Sequence, residues 1–165
     1  MAESAPGAAR QRVCASEALQ EKGRAVVFDV LVHRQPARAF ALRFESRVVA
    51  YLNRCVHVPA EMDWQAGEFL DADRAFIICS MHGAVYEPLS GRCAGGPCGR
   101  GTLTPIDVVE HDGQVSWMPS DTIQPVATTC TAVAGAPAAV ARAGRGVDSD
   151  ALATAAAPEL PTRPE

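Results

Sequence analysis

Two short stretches of this chain each bring a thiol close to an imidazole: Cys55-Val56-His57 and, after 21 intervening residues, Cys79-Ser80-Met81-His82. The chain has four histidines, so half of them lie within three residues of a cysteine. Thiolate is a soft donor and imidazole a borderline one, and two of each make a ligand set for a metal of intermediate softness. A single Cys-x-x-His pair is a weak signal, because such neighbours arise by chance. The second pair is what gives it weight. Each pair also opens or lies within an irregular stretch, "NRCVHVPAEMDWQAG" at 53–67 and "CSMHGAVYEPLSGRCAGGPCGRG" at 79–101, where Asn, Pro and Gly break any regular period. Two loops can therefore converge on one object.

The elements that must carry these loops read as β-structure. "RAVVFDVLVH" is rich in Val, Leu and Phe, and "RAFALRF" alternates Phe40, Leu42 and Phe44 against Ala39, Ala41 and Arg43. "RVVAYL" follows after only Glu45 and Ser46, so the three runs predict consecutive antiparallel strands. "EFL" and "AFIIC" flank the turn "DADR" as short strands, and "LTPIDVVEHDGQVSW" predicts a hairpin about Asp112-Gly113, a favoured turn pair. Upstream, "VCASEALQEKG" predicts one short helical turn capped by Ser16 and closed by Gly23. The reading is an all-β domain over residues 12–118, with a flexible N-terminal tail over 1–11 and a disordered Ala/Pro-rich tail over 119–165.

Composition bounds the function. The 165 residues suit one core with some excess, and the 48% hydrophobic fraction is inflated by 13 alanines in residues 121–165, so the core must lie earlier. A net charge of −4 gives no basic footprint for nucleic acid. "MAESAPGAAR" has no apolar segment of the export type, and no run reaches membrane-spanning length, which predicts a soluble cytoplasmic chain without a membrane partner. In that setting the six cysteines read better as metal ligands and free thiols than as a disulfide framework.

The pattern Cys-x-His followed by Cys-x-x-His, with Gly83, Tyr86, Gly91 and Gly96-Pro97 behind it, resembles the Rieske iron-sulfur proteins over roughly residues 12–118. The resemblance implies an antiparallel β-sandwich with two cluster-binding loops. It implies a [2Fe-2S] cluster held by Cys55 and Cys79 on the inner iron and by His57 and His82 on the outer one. Neutral imidazoles in place of thiolates leave a less negative centre, which takes up an electron more readily than an all-cysteine cluster. The Gly96-Pro97 turn is then expected over the cluster, keeping water from it. Respiratory Rieske proteins brace their loops with an additional disulfide; the corresponding positions here are Ala60 and Met81. Ala84 stands where those proteins place a serine hydroxyl on a bridging sulfide, whereas Tyr86 keeps their tyrosine.

The implied function is that of a soluble one-electron carrier, the ferredoxin component of an oxygenase system, with a flavin reductase as donor and an oxygenase as acceptor. Catalysis by the chain alone is not expected, because an oxygenase needs a further mononuclear iron held by histidines and none follows His111. Two alternatives stand beside this: an accessory Rieske-like subunit of a larger oxidoreductase, and a structural Cys2His2 zinc module. The zinc reading leaves Tyr86 and the glycines without a role. Cys93 and Cys98 could form a local disulfide, add ligands or be plain small side chains, with free thiols favoured in a reducing compartment, and Cys14 and Cys130 are expected as ordinary side chains. Trp64 and Trp117 are expected to anchor core or loops, His33 and His111 to lie at strand ends or turns on the surface, and Glu61, Asp63, Asp71 and Asp73 to be solvated loop charges.

Overall fold

A computed structural model of the chain describes residues 9–126. Its strands are β1 (Gln11–Ala15), β2 (Val26–Val32), β3 (Gln35–Phe44), β4 (Arg47–Leu52) and β5 (Ile77–Ile78), followed by β6 (Val85–Tyr86), β7 (Cys93–Gly95), β8 (Val108–His111), β9 (Gln114–Trp117) and β10 (Ile123–Pro125). They form three antiparallel sheets, in the orders β1-β9-β8, β10-β2-β3-β4 and β5-β6-β7. The only helical piece among the described residues is the 3₁₀ turn Ser16–Ala18. No helix of the described residues is long and apolar enough to cross a membrane. The all-β antiparallel architecture expected from the sequence is the one observed.

The four-stranded sheet is the middle layer, and β3 shows why. Its alternation sends Phe40, Leu42 and Phe44 to one face and Ala39 and Ala41 to the other, and all five are buried. β4 repeats the division, with Val49 and Tyr51 on the first face and Ala50 and Leu52 on the second. The large side chains pack with Phe69, Ile77, Tyr86, Cys55 and Cys79, which belong to the small sheet and its loops. Phe40 stacks on Phe69 with ring centroids 3.7 Å apart. Against the alanine face lie Val115, Ile106 and Trp117 of the β1-β9-β8 side. Small residues there leave the volume that the indole of Trp117 fills, with Phe28 5.9 Å away on β2.

Arg43 is the polar member of the alanine face and leaves it at the sheet's end. Its guanidinium bonds to Glu110 at 2.7 Å and donates to the carbonyl of Leu19 at 2.9 Å. Glu110 also accepts from the Ser16 hydroxyl, so the 3₁₀ turn after β1, β3 and β8 meet at one charged knot. The Arg43 hydrogen bonds hold the Glu110 carboxyl below its ordinary range.

Several expectations need correction. Residues 11–15 are a strand, which takes Gln11 from the expected N-terminal tail and residues 13–15 from the expected helical turn, and Ser16 gives its hydroxyl to Glu110 and leaves the 3₁₀ turn without a side-chain cap. β1 is made by pairing with β9, a hundred residues away in sequence order, which local pattern does not reveal. The fold also continues past Met118: β10 pairs with β2, and Ile123 is buried among Val30, Trp117 and their neighbours. The tail expected at 119–165 therefore overlaps the fold up to residue 126, and the remainder, like residues 1–8, lies outside the described residues. The Asp112-Gly113 turn is as expected, with φ of 50° and 70° at its two central residues. Replacing Ile123 by Ala should cost about 2–4 kcal/mol, as for other buried isoleucines. Urea unfolding of the full chain measures this, and an unchanged midpoint would mean that β10 adds nothing to the core.

Candidate metal centre

The loop between β4 and β5 is shaped by one buried amide. Asn53, 4% exposed, accepts the Met62 N–H on Oδ1 at 2.8 Å and donates from Nδ2 to Asp63 at 2.7 Å. The second oxygen of Asp63 accepts the Gly67 N–H at 3.1 Å. Asp63 is thus an internal brace and not a solvated loop charge; Asp71 likewise caps its own turn by accepting the N–H groups of Ala75 and Phe76. Within the frame set by Asn53 the chain doubles back, Cys55 N–H donating to the carbonyl of Ala60 at 2.9 Å. The β5–β6 connection makes the same reversal: Cys79 N–H donates to Ala84 O at 2.8 Å, and Gly83 N–H to Cys79 O at 2.9 Å. Ser80 ties the two loops together, giving both its N–H and its hydroxyl to the carbonyl of Met62.

These reversals bring the four sequence-selected residues together as two pairs at different depths. Cys55 and Cys79 are buried, 4% and 1% exposed, in one cluster of core side chains. His57 and His82 lie at the surface with ring centroids 5.1 Å apart, edge to face. Burial raises the Cys55 thiol, but the Tyr86 hydroxyl, the N–H groups of His57 and Val58, and Cys79 together take it below its ordinary value. Cys79 ends above its ordinary value: burial and the neighbouring Cys55 outweigh the N–H groups of Met81 and His82. Two anions side by side resist ionising together, and a bound cation removes that conflict.

Tyr86 is fully buried, with its oxygen 3.3 Å from the Cys55 sulfur. That oxygen already accepts the Val56 N–H at 3.2 Å, so its own proton is free for the sulfur. Burial and then the Cys55 thiol push its pKa up to about 12, which keeps it a donor at neutral pH.

Above the pair runs the segment 93–101. Gly96 has φ of +76°, and a Cβ there would strike the carbonyl of Gly83, so the turn lies directly on the residue after His82. Cys93 and Cys98 are joined by a disulfide, the alternative that the sequence left open beside the favoured free thiols. Antiparallel pairing of β7 with β6 and the tight Gly-Gly-Pro turn bring the two Cα atoms to 5.8 Å, within bonding reach.

The match that decides the family is to the Rieske [2Fe-2S] domain, over residues 9–126. The chain belongs to that family. Among solved structures, the Rieske domain is similar to the ferredoxin of carbazole 1,9a-dioxygenase from Nocardioides aromaticivorans IC177, with TM-score 0.54 and 23% identity, covering 67% of this chain and 98% of that one. It is also similar to a Sphingomonas yanoikuyae B1 ferredoxin, with TM-score 0.50 and 19% identity over 67% and 99% of the two chains. A third likeness, to a chain in the reduced complex between oxygenase and ferredoxin in carbazole 1,9a-dioxygenase, has TM-score 0.53 and 17% identity. That likeness covers 66% of this chain but 28% of the other. No curated protein sequence matches the chain. At these identities the likenesses speak for the fold.

The cofactor of the Rieske domain is a [2Fe-2S] cluster, and the donors present fit it. Among the described residues no three His, Cys, Asp or Glu side chains close on one point as a single-ion site. A tetrahedral zinc would gather all four on one ion. Two thiols and two imidazoles are the donor types of a Rieske [2Fe-2S] centre.

Of the other residues considered in the sequence, Trp117 is in the core and His111 pairs with Asp112 at a surface turn, but Trp64 is 83% exposed and anchors nothing. The roles of Asn53 and Asp63 went unread; "N-R-C" ahead of the first pair was the available signal, since a loop with buried ligands needs a buried polar residue to satisfy its backbone. Tyr86→Phe keeps the ring and removes the sulfur's donor. The [2Fe-2S] spectrum should persist, the midpoint potential should fall, and stability should drop by about 1 kcal/mol as the Val56 N–H loses its acceptor. Voltammetry reads the first effect, and a potential equal to wild type refutes the hydroxyl's part in setting it.

Proposed function

We propose that Cys55 and Cys79 hold the inner iron and His57 and His82 the outer one, and that the chain is a one-electron carrier of the ferredoxin kind serving an oxygenase. The observation that carries this reading is the depth of the four donors: the thiols are inside, while the imidazoles are exposed among the described residues. When bound, the cluster supplies one reversible electron. The chain's own residues do the rest.

His57 and His82 give that electron a short exit through the surface. Around them Val56, Val58 and Met81 are 42%, 41% and 51% exposed, and Pro59, Gly83, Gly96 and Pro97 are exposed as well. An apolar collar of this kind, without a large interface, suits brief docking, in which a partner must approach closely and leave again. The near-complete coverage of two ferredoxins supports a carrier over an oxygenase chain, of which this domain would be a minor part. The complex of an oxygenase with its ferredoxin among the similar structures supports an oxygenase as acceptor. A flavin reductase completes the proposed chain as donor. Buried N–H donors and Tyr86 stabilise the reduced state, while Ala84 adds no hydroxyl.

Two measurements test the reading. His57→Ala and His82→Ala should each abolish the Rieske absorption and EPR signature while the thiols remain; an unchanged spectrum refutes the residue replaced. The wild-type potential should lie toward the lower end of the Rieske range, nearer roughly −150 than +300 mV, and Ala84→Ser should raise it. A wild-type value near the top, or a serine variant with an intact cluster and no upward shift, overturns the hydrogen-bond account.

A further inference from the structure

The Cys93–Cys98 disulfide is not needed to supply a ligand, yet it is built into the segment that touches both ligand loops. Cys93 sits in β7 opposite Tyr86, and Cys98 is buried five residues further on. Backbone bonds extend the closure: Cys93 N–H donates to Gly101 O at 2.8 Å, and Gly101 N–H to Cys98 O at 3.0 Å. The covalent ring contains Gly95-Gly96-Pro97. Gly96 lies against Gly83 and Ala84, just after His82, and Gly101 lies against the side chain of Val56, between Cys55 and His57. The ring leans on the second loop through Gly96, and Gly101, tied to the ring by the two backbone bonds, leans on the first, while Ala60 and Met81 offer no bond between the loops.

Its two sulfurs are not equivalent. Cys93 is half-buried, whereas Cys98 is 6% exposed. The Cys98 sulfur lies 3.0 Å from the carbonyl of Gly95 and 3.5 Å from that of Val85. A disulfide sulfur has no proton to give them; a thiol has one. The opened state thus finds an acceptor already in place, which lowers the cost of leaving a thiol inside.

We propose that the Cys93–Cys98 disulfide is a brace on the two cluster loops that dithiol reductants open. The inference rests on those loops holding the cluster. A thiolate of the dithiol attacks the Cys93 sulfur, the bond between the two cysteines breaks, and Cys98 leaves as a thiolate that takes up a proton. The reductant's second thiol then displaces Cys93, which is protonated in turn, and the reductant departs as its own disulfide. Two electrons and two protons pass from the reductant to Cys93 and Cys98, and no iron changes oxidation state. With the ring open, the restriction on the 93–101 segment is lost, a shift of roughly tenfold or more in its opening equilibrium. Gly96 and Gly101 then no longer press on the residues beside His82 and Cys55.

The test uses the full-length, cluster-loaded protein with and without dithiothreitol. Alkylation and mass spectrometry of the 93–98 peptide report the state of the bond. The lifetime of the Rieske absorption in a ferrous chelator and the midpoint potential report its effect. Dithiol should shorten that lifetime about tenfold and move the potential, and Cys93→Ser should match the treated wild type with or without dithiol. Equal lifetime and potential in the disulfide and dithiol forms of the wild type, a comparison that needs no variant, would overturn the proposal. So would free thiols at both positions in untreated protein, or a Cys93→Ser chain that still responds to dithiol. Absence of a Rieske spectrum in every form would instead refute the ligand assignment, which separates the two failures.

Discussion

Two buried thiols, Cys55 and Cys79, share one core cluster, and the proposed iron-sulfur cluster requires both as thiolates. Left alone they repel, and each loses hydration it would have had outside. Backbone N–H groups answer part of this: those of His57 and Val58 serve one sulfur, and those of Met81 and His82 the other. N–H groups two and three residues ahead can aim at a sulfur only if the chain reverses at once, and the Cys55–Ala60 and Cys79–Ala84 bonds make that reversal. The same reversal throws His57 and His82 outward. Buried thiols and exposed imidazoles are two results of one backbone requirement.

A site of this kind needs a floor that does not shift. β3 and β4 supply it by being buried on both faces, with bulky residues toward the loops and alanines toward the second layer. Phe40 stacks on Phe69, and Tyr51 gives its hydroxyl to the carbonyl of Pro88, so the central sheet is tied to the loop region by a stacked ring pair and a buried hydrogen bond. Loop geometry is thereby tied to a sheet buried on both faces.

What could be read from the chain alone follows from range. The hairpin strands β2, β3 and β4 and the Asp112-Gly113 turn are set by neighbours in sequence, and so were legible. The two Cys/His pairs stood out because metal ligation ties residue type to spacing. β1 and β10 were not legible: each is a few residues long and becomes a strand only through a distant partner, β9 or β2. The Asn53–Asp63 brace escaped for a related reason, since an Asn and an Asp in a loop look solvated until the fold encloses them. Cys93 and Cys98 were seen, but their union depends on the β6–β7 register, and a compartment argument pointed the other way.

The chain has two indoles in opposite settings: Trp117, 2% exposed against the alanine face, and Trp64, 83% exposed on the loop that carries Cys55 and His57. An indole in water emits at longer wavelength than one in an apolar interior, so the two should be separable by colour. Blue-side emission then follows the layer packed by Trp117 and registers loss of the core. Red-side emission belongs to the ligand loop, where anything that covers or displaces that surface alters the signal without unfolding. The molecule thus contains an optical label for each half of its architecture, with no dye attached.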